Sequence, residues 1–236
     1  MMLPSSQAIE ELIGEQFVDW VLDHVSLEVN SWPEIAVIAG VTPKPERIKK
    51  FVLQYFLVQQ AFFGGRDTDP GFLGFAIANL SESADPTAES ALEILEKRKQ
   101  EELAGGKHAV WIKFLNALGV SDEEIRRAEP KEPIRNYVSE LSDVYSNSDW
   151  QSSVGAYVAH DRSLSEEYKT IKEMLKRTTQ LSEGDLQLFG EQMNVSHILD
   201  KIAFDNESKQ LVWNGVRRQL AARHDLHKGL IKYLNH

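Results

Sequence analysis

Cysteine is absent from this 236-residue chain, which removes disulfides, thiolate metal ligands and cysteine nucleophiles together. Any metal must then be held by histidine and carboxylate. Long apolar runs are also missing. No stretch approaches the roughly 18 uninterrupted apolar residues of a membrane span, and the opening MMLPSSQAIEELIG has no basic segment followed by an apolar one, as an export signal would. A soluble, cytoplasmic protein is the expectation. Positive charge is in deficit, with 26 Lys and Arg against 36 Asp and Glu, a net charge of −10. The two signs are interspersed, so no nucleic-acid or anionic-membrane partner is expected, and a small-molecule substrate fits better. Walker-type phosphate loops, dinucleotide glycine patterns and nucleophile elbows are lacking.

Period-two alternation between hairpin turns is lacking too, so the chain reads as all-α. Its 42% hydrophobic content suffices for one large core, and residues 1–236 are expected to form a single domain. The spacing predicts a first helix capped by Ser5 or Ser6, with Ile9, Ile13, Phe17, Trp20 and His24 on one face. A second helix from Thr42-Pro43 to Phe63 is stopped by Gly64-Gly65, and Tyr55 and Gln59 lie on its inward stripe as candidate pocket residues. A short helix follows from about Gly71 to Leu80. Asp85 to Gly119 reads as one long helix, with Asp85 as cap, Pro86 at the first position and Gly119 just past the end. On it Ile94, Glu101, Gly105, His108, Ile112 and Leu115 share a stripe.

Further helices are expected from Ser121 to Ala128, from Ile134 to Tyr145, from Trp150 to Arg162, from Ser165 to about Arg177, from Ser182 to about Phe204, and from Asn206 to Tyr233. Ionisable residues on apolar faces are the candidates for chemistry, because burying them costs several kcal/mol unless they are paired or bound to something. Glu101 with His108 is one pair. His197 with Asp200 is another, one turn apart on the stripe of Leu186, Phe189, Met193 and Phe204. His160 and Asp161 lie side by side near a helix end, and either can face inward. His197 with Asp200 is also readable as a plain buried pair, and His160 with Asp161 as a solvated pair at a helix end. His224 and His227 are read as core or interface histidines.

With these residues laid out, the chain resembles the heme-oxygenase-like superfamily, in particular the group of TenA, PqqC and CADD-like proteins with their diiron oxidases. The resemblance rests on the helix order, the WPEIAVIAG turn, the FVLQYFLVQQAFF helix and above all EELAGGKHAVWIKFLNALGV, whose Glu101 and His108 match that family's Glu-and-His spacing. The family's later HxxxDxxH motif is altered here to Met193, His197 and Asp200, and its glutamate on the preceding helix is matched by His160 or Asp161. The resemblance implies a heme-oxygenase-like bundle without heme, a homodimer, and a metal site, with iron foremost, held by Glu101, His108, His160 or Asp161, His197 and Asp200. Tyr55, Gln59 and Met193 would line the pocket. The function it implies is an iron-dependent oxidoreductase on a small organic substrate. Two alternatives remain: a metal-free TenA-like or PqqC-like enzyme on a nitrogen heterocycle, or a binding protein that keeps the fold without turnover.

Overall fold

The computed structural model describes residues 9, 11–64, 70–103, 106–190, 196–199, 202 and 205–235. Its elements are α1 (Gly14–Ser31), α2 (Pro33–Gly40), α3 (Pro45–Phe63), α4 (Gly71–Ser81), α5 (Pro86–Leu103), α6 (Lys107–Ala117), α7 (Asp122–Arg127), α8 (Glu132–Ser146), α9 (Trp150–Thr178), a 3₁₀ turn at Gln187–Phe189, α10 (Ser196–Leu199), α11 (Asn206–Leu230) and α12 (Lys232–Asn235). Among the described residues there is no strand, and no helix is long and apolar enough to cross a membrane.

Local chemistry explains most of the boundaries. Gly64 ends α3 at φ +88°, a conformation that costs a side chain but not glycine. Asp85 accepts from the Thr87 amide at 2.9 Å and so caps α5. Ser121 and Glu124 form a reciprocal capping box on α7. After α6, Gly119 adopts φ +80° while its amide bonds Asn116 and that of Val120 bonds Leu115, the paired bonds of a Schellman end.

Four expectations need correction. The Asp85–Gly119 segment is two helices, with Gly106 as the non-helical cap of α6; Gly105 lies outside the described residues. Conversely, the two helices expected over 150–177 are one 29-residue helix. Ser163 does not break it, because its hydroxyl bonds the Ala159 carbonyl within the helix at 2.6 Å. The helix expected from Ser182 starts as turns and a 3₁₀ segment with Gly184 and Gly190 inside it; Met193, Asp200 and Phe204 lie outside the described residues. In α1 the buried face is Phe17, Val18, Val21, Val25 and Val29. Ile13 is an exposed apolar residue, and the proposed Ser5 or Ser6 cap is also outside the described residues.

The bundle is built around α9 and α11, which share its largest helix interface. From Trp150 to Tyr168 nearly every residue of α9 is buried, so it runs through the centre. Small residues let the pair come together. Gly155 faces the Val212 carbonyl and Gly215 faces the Ser152 carbonyl, each so closely that a β-carbon would overlap it, and the Ser152 hydroxyl donates to the Leu211 carbonyl at 2.9 Å. Gly155→Ala and Gly215→Ala are each expected to force the helices apart and to cost about 1–3 kcal/mol of stability, the usual range for overpacking. Urea unfolding of the two variants measures this, with a lower midpoint at unchanged slope expected.

Candidate functional site

Side chains from α3, α8, α9 and α11 meet in a buried polar cluster. At its centre Glu167 of α9 receives Arg223 of α11 through two bonds, Nε to Oε1 at 2.5 Å and Nη2 to Oε2 at 2.7 Å. Both side chains are fully buried. Tyr55 of α3 donates its hydroxyl to Glu167 and accepts from Arg223 Nη2 at 3.0 Å. His227 places Nε2 3.0 Å from Glu167 Oε1.

The remaining guanidinium nitrogen, Nη1, lies 2.9 Å from His160 Nδ1. A guanidinium only donates, so Nδ1 accepts and the ring proton sits on Nε2 in a neutral imidazole. The ring stacks on Phe62, with centroids 3.5 Å apart and planes 6° from parallel. Tyr137 of α8 brings its hydroxyl to 3.5 Å from the same Nδ1 and accepts from Gln219 Nε2 at 2.9 Å.

Burial and charge set the ionisation states. Desolvation alone would raise the Glu167 carboxyl, but the charge of Arg223, joined by His227 and by their hydrogen bonds, holds it well below the ordinary value of 4.5. Desolvation also works against the Arg223 cation, and Glu167 overrides it, so the guanidinium stays charged. Burial, reinforced by the Glu167 charge, pushes Tyr55 far up; burial likewise raises Tyr137 and Tyr145. These phenols are fixed donors. Several buried polar atoms near them have no protein partner among the described residues: Gln59 Nε2, Tyr145 Oη and Gln219 Oε1. Gln59 lies between Tyr55 and Phe62 on the inward row of α3, and Tyr145 packs against Phe62 at 5.8 Å. Gln54, by contrast, is fully used, bonding the Glu129 carbonyl and the Lys131 amide.

Of the residues singled out from sequence, Tyr55, Gln59 and His160 come together in this cluster. Asp161 is also buried, at 2% exposure against 1% for His160, so the adjacent pair both face inward because α9 is covered on all sides. The charge of Asp161 acts on Arg98 of α5, as do Tyr157 and Glu102. Glu101 is placed elsewhere: its side chain is 54% exposed, 3.5 Å from Arg98. The inward carboxylate of α5 is Glu102, 8% exposed and 2.8 Å from Arg98. The reason is helical phase, since the inward row is Ala88, Ala91, Leu95, Arg98 and Glu102. The interruption before α6 then frees His108 from that phase, and it lies exposed, edging Phe56 at 5.6 Å. The side chains of His197, Asp200 and Met193 are outside the described residues.

Glu167, Arg223, Gln219, Tyr137 and Tyr145 were not singled out from sequence. A signal existed for three residues on α11: Gln219, Arg223 and His227 recur every four residues, and Arg223 lies seven residues from both Val216 and Leu230, which are buried.

Around Glu167 the described residues leave no place for a metal. The Glu167 carboxylate has both oxygens engaged by Arg223, Tyr55 and His227, and a guanidinium charge occupies the space beside it that a metal cation would need. Among the described residues no group of three or more histidines and carboxylates is placed to hold a metal.

The profile of the TENA/THI-4/PQQC family matches residues 38–187, well over half of the chain. The chain belongs to that family. This TENA/THI-4/PQQC member has no match among curated proteins, and its solved neighbours share the fold at low identity. A CADD-like protein from Nostoc punctiforme superposes with a TM-score of 0.72 at 10% identity, covering 92% of this chain and 98% of the other. A Shewanella denitrificans domain with a heme oxygenase-like fold gives 0.65 at 13%, with 98% and 94% covered. A TenA homologue from P. horikoshii gives 0.54 at 16%, with 92% and 100% covered. The expected all-α, heme-oxygenase-like bundle is thereby established.

Removing one partner of the central pair leaves a buried charge exposed to no solvent and no counterion. Arg223→Met is therefore expected to lose about 3–5 kcal/mol, and Arg223→Met with Glu167→Gln to recover a large share of it, as read from urea midpoints. The sign of the pH effect follows from the depressed Glu167 carboxyl. Its contribution is present above the unfolded value near 4.5 and is lost as pH falls below it. Acid titration of stability is expected to be shallower in Glu167→Gln than in the wild type below pH 4.5.

Proposed function

We propose that this TENA/THI-4/PQQC member takes up a small, neutral nitrogen heterocycle in the bundle interior without a metal. The observation that carries this reading is the buried two-bond pairing of Arg223 with Glu167. A carboxylate neutralised by a fixed cation leaves neither a net charge to attract an ionic ligand nor free oxygens to bind a metal. What the surroundings offer instead is a set of neutral hydrogen-bonding atoms, with donors at Gln59 Nε2 and Tyr145 Oη and an acceptor at Gln219 Oε1, beside aromatic rings. A planar ring carrying both an acceptor nitrogen and a donor group complements that set. No cysteine is present to act as nucleophile, so the groups left for a chemical step are the acid–base ones, His160, Tyr55 and Tyr137.

The test is a thermal-shift and calorimetric screen of amino- and hydroxy-substituted pyrimidines and pyridines, run beside quantification of Fe, Mn and Zn per chain. At least one heterocycle is expected to bind saturably and insensitively to EDTA. Gln59→Leu and Tyr145→Phe are each expected to weaken it about tenfold, the loss of one hydrogen bond. Stoichiometric iron that Glu101→Ala and His197→Ala both remove would overturn the reading in favour of an iron oxidoreductase.

A further inference from the structure

Among the described residues two large apolar side chains stand exposed, Ile13 at 70% and Leu27 at 55%. Both belong to α1, Ile13 as its cap. Each lies seven residues from Trp20, and a seven-residue step returns a helix to within about 20° of the same direction. Trp20 itself is half-buried. Its ring leans on Trp213 of α11 at 4.6 Å, and His24 meets the same Trp213 edge-on at 4.8 Å. Burial holds His24 below its ordinary value of 6.5 against the opposing charge of Glu28, so this ring is neutral at neutral pH. The outer face of α1 is thus one uncharged, largely apolar stripe about four turns long.

One flank of the stripe is acidic. Glu15, Asp19 and Asp23 recur every four residues and are exposed, and α1 contains no lysine or arginine. Among the described residues none of the three stands in an ion pair. Arg162 of α9 does reach α1, but it donates to the Ser26 hydroxyl and pairs with Glu166 of its own helix. On the other flank Glu28 acts on His24, and Arg217 of α11 is exposed one turn beyond Trp213. There one acid and one cation offset each other.

We infer that the outer face of α1 is a docking surface for an amphipathic helix of another protein, one with an apolar seam of seven-residue repeat and lysine or arginine along its flank. The repeat of Ile13, Trp20 and Leu27 matches such a seam in spacing, and the row of acids supplies the complementary charge. A second copy of this chain fits less well. Paired antiparallel about a two-fold axis, the acidic flank meets itself; paired parallel, three acids meet a flank with a single arginine. Neither arrangement supplies the cations that the row lacks. The net charge of −10 also draws a basic partner in at long range. Nothing in this inference depends on what the bundle interior binds.

The probe is a synthetic helix of about three heptads with leucine along the seam and lysine on the flanks, titrated into the full chain by calorimetry at about 0.15 M salt. Its twin carries glutamate for lysine. The lysine peptide is expected to bind saturably and the glutamate peptide not to bind. Ile13→Ser with Leu27→Ser, both at exposed positions, is expected to weaken binding about tenfold. Asp19→Lys with Asp23→Lys is expected to weaken it about as much and to admit the glutamate peptide. Glu93→Lys with Glu96→Lys makes the same change of net charge at exposed positions of α5 and is expected to leave the affinity unchanged. A lysine peptide that fails to bind, or whose binding the α1 variants do not weaken or the α5 variant weakens equally, would overturn the surface. Self-association of the wild type that Ile13→Ser with Leu27→Ser abolishes would overturn it too, by assigning the face to a second copy.

Discussion

The bond between Glu167 and Arg223 is the constraint on which the rest of the interior depends. Two ions in a dry core are costly, and their mutual attraction offsets that cost only with good geometry and further hydrogen bonds. The bundle supplies both. Two parallel bonds fix the guanidinium against the carboxylate, Tyr55 and His227 complete the carboxylate's surroundings, and His160 accepts the donor left over. Four helices are committed to this arrangement, because each contributes a group whose partner lies on another. Such a network specifies one register of α3, α8, α9 and α11, since sliding any of them by a turn leaves a charge or a donor unmet.

Packing makes that register reachable. Arginine and glutamate on two different helices meet in a two-bond geometry only if the helix axes come close, and Gly155 and Gly215 allow backbone to lie on backbone. Further along α9, His160 and Asp161 leave the helix about a quarter-turn apart; His160 bonds Arg223 on α11, and the charge of Asp161 acts on Arg98 on α5. The central helix thus divides the interior into two polar zones, each with its own guanidinium.

Helix class and the larger elements were legible in the sequence because they rest on local chemistry. The cap at Asp85, the box at Ser121 and the glycines at 64 and 119 all act within a few residues of where they stand. The candidate site was less legible. Tyr55 and Gln59 could be read from the stripe of α3, since that helix is regular throughout. Glu101 and His108 matched the family spacing only on the assumption of unbroken helix, and the interruption before α6 changed the phase between them. Glu167 was hidden by the break supposed near Ser165, a residue type that favours caps but here lies inside a long helix. Arg223 was passed over because a lone arginine on a helix ordinarily faces water; its partner is 56 residues away in sequence, and no local pattern encodes that contact.

A buried carboxylate needs a cation, and a helical bundle meets that need equally well with a metal or with an arginine. The two are not chemically equivalent. A metal offers open coordination positions and polarises what it binds, whereas a guanidinium engaged on every side can only hold its neighbours in place. In this chain the guanidinium spends two of its nitrogens on Glu167, shares one of those with Tyr55 and gives the third to His160. It is therefore a positioning group that sets the tautomer of His160 and the orientation of Tyr55. The fold is retained because the electrostatic requirement of Glu167 is met, and the chemistry of the interior is decided by which cation meets it.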